Sequence, residues 1–291
     1  MLATWRYRPH NSFMERIDPR TRWIFSLLFL VSVTFFWDMR FIAVFFVAAM
    51  AWYFSARTQW KEIRRAWLFV STLLVIMIVV NTIITSASAR GIIPQQGQHP
   101  LWTLDGSFPL TGWRIHFTLT IERLWFALCQ MVRILSISAV FLIIPYSMNP
   151  RLYGVTFHGL GLGDRIAFSM DLAFRYVPTL ARDFQVTLDA QRARGYEIER
   201  VQGGLLEQVR RIAPLIVPIT MSSIMTGEDV TNAMDLRCFG LQKRTWVEVI
   251  QYHWIDYAII AASVLMLVGS IVITQVFHLG GFWMPPFLLP H

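Results

Sequence analysis

The chain has 291 residues, of which 55% are hydrophobic and only 15% are charged, with a formal net charge of +8. Soluble domains average about 25% charged residues, and here the deficit is gathered into long charge-free runs, which excludes a single water-soluble globule. The basic surplus points to the cytoplasmic rim of a membrane protein rather than to nucleic acid, because Lys and Arg collect there.

The opening, Met1 to Arg22, is polar and carries five Arg. It lacks the short apolar core and small-residue site of a cleavable signal peptide. Trp23–Trp37, bracketed by two interface-type Trp residues, and Phe41–Ala56 are the first two apolar runs, separated by Asp38-Met39-Arg40. They are short for spans, and flanking charges that snorkel would extend them. They predict a helical hairpin.

A basic stretch follows, with Arg57, Lys61, Arg64 and Arg65. Ala66–Ala89 is then a run of 24 residues without Asp, Glu, Lys or Arg. A bilayer core needs roughly 20 apolar residues of helix, so a third span is expected from about Ala66 to Thr85. Ser86 to Thr120 reads as a long polar and aromatic loop with two basic residues, Arg90 and Arg114. A fourth span is expected over Ile121–Ile144 and a last one over Trp254–Phe277, within a C-terminal run of 35 uncharged residues from Tyr257.

The opening holds five Lys or Arg and the 57–65 loop four, against one in the short 38–40 turn and two in the 86–120 loop. The positive-inside rule then places the N-terminus in the cytoplasm. The expected fold is all-α, a multi-pass membrane protein with five or six transmembrane helices and long cytoplasmic amphipathic helices. Its expected regions are a four-span part over 1–145, a coupling-helix region over 146–245 and a C-terminal span over 246–291.

Pro145 to His253 carries 12 Lys or Arg and 11 Asp or Glu. Within it, Ile166, Met170, Ala173, Val177, Leu180, Phe184 and Leu188 recur at helical spacing. Asp171, Arg175, Arg182 and Asp189 fall on the opposite face. This predicts a long amphipathic helix over Arg165–Arg192, bent near Pro178. A second is expected over Leu205–Arg237, with an uncharged middle holding Pro214 and Pro218, packed on the membrane region or grazing the interface.

The two helices end alike. Ala193-Arg194-Gly195 closes the first, and Ala233-Met234-Asp235-Leu236-Arg237-Cys238 closes the second, the two Arg standing 43 residues apart. One reading is helix termination, a cation at the negative end of the dipole with a left-handed cap behind it. The other is a docking knob, a rigid five-donor fork that grips carboxylates or carbonyls of a partner. Asp18-Pro19-Arg20-Thr21, Leu160-Gly161-Leu162 and Arg175-Tyr176-Val177-Pro178 complete the pattern.

Together these motifs resemble the transmembrane T-component of energy-coupling factor transporters, the EcfT/CbiQ family, over nearly the whole chain. Here Leu236 and Cys238 replace an Ala and a Gly of the family's second Ala-Arg-Gly motif. The resemblance implies a non-catalytic coupling subunit in a prokaryotic cytoplasmic membrane. It implies two partner ATP-binding-cassette ATPases, which carry ATP and Mg, and a membrane S-component that captures a vitamin or metal ion. It also implies that Ala193, Arg194, Gly195, Ala233, Asp235, Arg237 and Cys238 dock the ATPases.

Other signals are weaker. Gly159 to Gly163 alternates Gly with Leu but lacks the Lys-Ser/Thr of a P-loop and reads as a turn. Arg133 interrupts the fourth span and is a candidate functional charge, or a structural one satisfied by carbonyls. The seven His and two Cys show no metal-ligand spacing, no disulfide framework and no catalytic cluster. A stand-alone secondary transporter or channel is the alternative; it would need ionisable groups at midplane in most spans or symmetric broken helices.

Overall fold

The computed structural model describes residues 12–84, 100–107, 114–195, 205–242, 245–281 and 283–285. The basic opening as far as residue 11, parts of the 86–120 loop, and Tyr196 lie outside them. By contact the chain forms two compact units, one of residues 8–148 with 251–291 and one built on residues 149–250.

The first unit is a helix bundle. A short helix, α1 (Phe13–Arg16), precedes α2 (Pro19–Thr34) and α3 (Met39–Ser55). Both longer helices are started by an Asp whose carboxylate accepts a first-turn N–H, Asp18 from Arg20 at 2.8 Å and Asp38 from Arg40 at 2.9 Å. Pro19 stands at the first helical position, where a missing N–H costs nothing. α4 (Trp60–Ile84), α5 (Ile121–Ser147) and α9 (Trp254–Gln275) complete the bundle.

All five expected spans are therefore helical. Trp60–Val80, Ile121–Ser147 and Trp254–Gln275 are each long and apolar enough to cross a membrane, and α3 is a shorter apolar helix. α2 has 16 residues and carries Arg20 and Arg22 in its first turn. α5 runs three residues past the expected end, through Pro145, which lies in the last turn.

α5 packs on α2, α3 and α4, while α2 packs on α9. Phe29, Phe36, Ile42, Ala49, Ala139 and Val140 form the buried centre. Phe25 stacks on Trp52 with centroids 4.1 Å apart, and Phe36 on Phe41 at 4.7 Å. Between these large side chains lie buried serines, Ser26, Ser32, Ser136 and Ser263. Each donates its hydroxyl to a carbonyl of its own helix, at 2.7–2.8 Å. Small residues let helices approach closely where lipid gives no hydrophobic drive, and the internal bond removes the desolvation penalty.

The stretch expected to be a loop contains an antiparallel hairpin, β1 (Pro100–Ser107) and β2 (Arg114–Thr120). Thr120 ends β2 and caps α5, accepting the Arg123 N–H at 3.4 Å, so no linker separates sheet from helix. The architecture is the all-α, multi-pass one expected, with this short hairpin added between two of its helices. The cause of the hairpin is visible in β2, whose residues alternate apolar and polar.

The second unit begins with a 3₁₀ turn (Pro150–Leu152) and α6 (Tyr153–Gly159). α7 (Asp164–Ala193) and α8 (Leu205–Leu236) follow, each within a residue of its expected bounds. Gly159 to Gly163 is the turn between α6 and α7, with Gly161 at φ +98°. α6 lies on α7 through Gly154: a Cβ there would fall 2.6 Å from the Cβ of Asp171. Tyr153 stacks on Phe174 at 4.6 Å. Asp171, expected on the solvated face, therefore packs at 20% side-chain exposure and pairs with Arg175 at 3.6 Å. Ile166, Ala173, Val177 and Leu180 of the apolar stripe are exposed, as are Ile216, Val217, Met221 and Met225 of α8.

Candidate functional site: two arginine-tipped helix ends

The first tip is built by the end of α7. Arg194 is its C-cap, with its N–H shared between the carbonyls of Ala190 (3.3 Å) and Gln191 (3.1 Å). Gly195 follows at φ +84° and donates to Arg192 O at 2.9 Å. A left-handed residue behind the cap turns the chain away and satisfies a carbonyl that the helix leaves open. Arg192, in the last turn, pairs with Asp189 at 3.6 Å.

The second tip repeats this geometry. Arg237 is the first residue beyond α8, and its N–H reaches Met234 O at 3.1 Å. Cys238 donates to Asp235 O at 2.9 Å and Phe239 to Met234 O at 3.0 Å, the paired bonds of a Schellman ending. Cys238 takes the left-handed conformation itself, φ +52°, where glycine stands at the first tip. The departure from the Ala-Arg-Gly pattern thus leaves the backbone course intact. Ala193, Arg194, Gly195, Ala233, Asp235, Arg237 and Cys238 are all exposed.

The tips belong to opposite ends of one antiparallel pair. Gln191, near the end of α7, donates to Pro214 O near the start of α8 at 3.4 Å. At the other end, Phe168 meets Phe239 with centroids 4.6 Å apart, and the Arg165 guanidinium lies over Gly240. About 29 residues of α7 separate these ends, roughly 40 Å at 1.5 Å per residue. The structure thus places the two arginine-tipped helix ends at opposite ends of one antiparallel helix pair, not in one pocket.

Arg133 lies elsewhere, 5% exposed inside the bundle. One Nη donates to Phe36 O at the end of α2, and the other to Gln130 Oε1 at 3.3 Å. The guanidinium lies 4.1 Å from the centre of the Trp37 ring. The Trp37 N–H in turn donates to Gly280 O at 2.8 Å. Arg133 thus sits where the α2–α3 turn would otherwise leave open carbonyls in an apolar setting.

A second polar knot, not expected from the sequence, stands at the start of α2. Arg22 is 3% exposed and donates to Ile17 O at 2.7 Å and Ser147 O at 2.8 Å. Asp256 is fully buried and accepts the N–H of Asp18 and of His253, each at 2.8 Å. Its only sequence signal is a lone acid at the head of an apolar run. Among the described residues no group of three His, Cys, Asp or Glu is placed to hold a metal ion.

Comparison with known proteins gives a concordant result. Residues 10–247 match the family CbiQ, described as a cobalt transport protein. The chain is 27% identical over 275 residues to the energy-coupling factor transporter transmembrane protein EcfT of Thermosediminibacter oceani, covering 91% of this chain and 95% of that one. It is 27% identical over 292 residues to EcfT of Thermotoga maritima, covering 94% and 96%. The same protein of Lacticaseibacillus paracasei is 26% identical over 287 residues, covering 94% and 98%.

Proposed function

The chain belongs to the CbiQ family, as a transmembrane T-component of energy-coupling factor transporters, and from that premise we propose that it carries ATP-driven motion from two cytoplasmic ATPases to a substrate-binding membrane S-component. The observation that carries this reading is the pair of matching tips, Arg194 and Arg237, each a cap residue followed by a left-handed turn. Two equal knobs suit two equal sockets, as a dimer of ATP-binding-cassette ATPases would offer. A guanidinium fork binds carboxylates or carbonyls in a fixed geometry, and a tight turn behind it lets the socket close around it.

In this reading ATP and Mg stay on the ATPases, and this chain performs no catalysis. Closure of the ATPase dimer displaces the knobs. α7 and α8 are continuous helices of 30 and 32 residues, so a force applied at one end moves the whole element. Their exposed apolar rows face the S-component and lipid, and their tilt releases the cargo, a vitamin or a metal ion. The N-terminus and both tips lie on the cytoplasmic side of a prokaryotic plasma membrane.

The test is copurification. Arg194→Glu and Arg237→Glu each place an anion in a socket built for a cation. Breaking one desolvated charge contact at an interface costs about 2–5 kcal/mol, at least ~30-fold in affinity. Either single variant retains the ATPases weakly, and the double variant loses them in detergent. An intact complex carrying both substitutions overturns the assignment.

A further inference from the structure

Beyond Arg237 the chain turns at two left-handed residues, Cys238 (φ +52°) and Gly240 (φ +89°). Phe239 lies between them. The double turn carries the chain onto the corner where α6 meets α7, and it touches that corner at Phe239, Gly240 and Trp246. The Phe239 ring lies 4.6 Å from that of Phe168. A Cβ at Gly240 would stand 3.7 Å from the Arg165 guanidinium, so the backbone itself lies against this side chain. The Trp246 ring is 5.4 Å from that of His158, whose Nδ1 lies 2.9 Å from Asp164 Oδ1.

The corner is a firm platform. α6 is locked to α7 where Gly154 receives Asp171 and where Tyr153 stacks on Phe174. Asp164 stands in the first turn of α7, where the helix dipole favours an acid, and it orients the His158 ring. Phe239 and Trp246 are half-buried, whereas their apolar neighbours Leu236, Leu241 and Val247 are 86%, 79% and 99% exposed. The two rings therefore fasten the segment, and the other apolar side chains along it do not. A helix end without such a fastening frays in its last turn.

We infer that Phe168 is a positioning residue for Arg237: through Phe239 it holds the turn behind the second tip against the α6–α7 corner, so that the guanidinium is presented in one direction. A tip held in its bound direction lowers the ordering cost of docking. Arg194 stands at the far end of α7, and its presentation does not depend on Phe168. The inference rests on the docking role proposed for Arg237 and adds the residue that aims it.

The experiment uses the full chain and the ATPases that copurify with it, in phosphatidylcholine–phosphatidylglycerol nanodiscs. Phe168→Ala removes the ring and Phe168→Tyr keeps it. Hydrogen exchange in the full chain freed of ATPases reads the turn itself. Phe168→Ala is expected to lower protection of the 237–241 amides about tenfold, as loss of an aromatic pair would. Phe168→Tyr restores it, and the amides in the middle of α8 are unchanged in both. ATPase affinity reads the aim. Phe168→Ala weakens it several-fold in the parent and in an Arg194→Ala chain, and adds nothing in an Arg237→Ala chain, because only coupled residues depart from additivity. Equal weakening in both single-tip backgrounds, or none in either, overturns the inference, as does unchanged protection at 237–241. Failure of the docking role itself looks different: Arg237→Ala alone then leaves ATPase affinity unaltered, which removes the inference along with that role.

Discussion

The backbone N–H of Asp18 donates to the carboxylate of Asp256 at 2.8 Å, joining two residues 238 positions apart. Asp18 precedes α2, outside the spanning segment. Burial pushes its carboxyl above the ordinary value of 3.8, and the nearby Asp256 adds to the rise. The Arg20 N–H and the charges of Arg20 and Arg22 oppose it. His253 caps the facing helix, and its Nδ1 lies 3.8 Å from Asp256. The folded state therefore binds the Asp18 proton more tightly than the unfolded chain, and this group's contribution falls as pH rises from 3.8 through the raised value. Asp18→Asn keeps the oxygen that caps Arg20. It is expected to unfold at higher temperature than the parent at pH 7–8, with the gap closing toward pH 4. Thermal midpoints of both proteins across that range check this.

Arg133 binds the last carbonyl region of α2 from a neighbouring helix, so its removal strands Phe36 O in an apolar site. A buried acceptor left without a partner costs about 1–3 kcal/mol. Arg133→Ala is expected to destabilise the purified chain by that amount. Arg133→Lys, which keeps the charge but loses the fork, falls between. A variant that stays as stable as the parent while transport fails would make Arg133 a transport residue instead.

Cys238 holds a conformation that glycine adopts freely and other residues adopt at about 1 kcal/mol or more. Cys238→Gly should therefore stabilise α8 by about 1 kcal/mol, and Gly195→Ala should weaken the end of α7 by a similar amount. Hydrogen exchange of the amides in the last turns of both helices reads the two effects separately. Unchanged protection at the end of α8 in Cys238→Gly would remove the strain argument.

Local pattern was enough for much of the fold. The helical repeat over 165–192 and the uncharged runs located α5, α7, α8 and α9 to within three residues and α4 to within six, because 3.6-residue periodicity and span length are local signals. The matching tips were legible for the same reason. β2 alternates apolar and polar residues from Arg114 to Thr120, yet the Gly, Pro and Trp around it made the stretch read as a loop. Asp171 was misplaced because a helical projection knows nothing of its neighbour, and Gly154 supplies the notch that receives it. Asp256 was passed over because its partner at Asp18 lies nearly a chain length away, and no local repeat encodes such a pair.

α2 is fastened at both ends by the C-terminal stretch: Asp256 takes the Asp18 N–H before α2 begins, and Gly280 takes the Trp37 N–H just after it ends. Chains emerge from the ribosome N-terminal end first. α2 is made long before residues 256 and 280, so its two flanking amides wait for those residues before they find their acceptors. A polypeptide stalled before residue 254 would hold its first hairpin in the bilayer with both clasps undone.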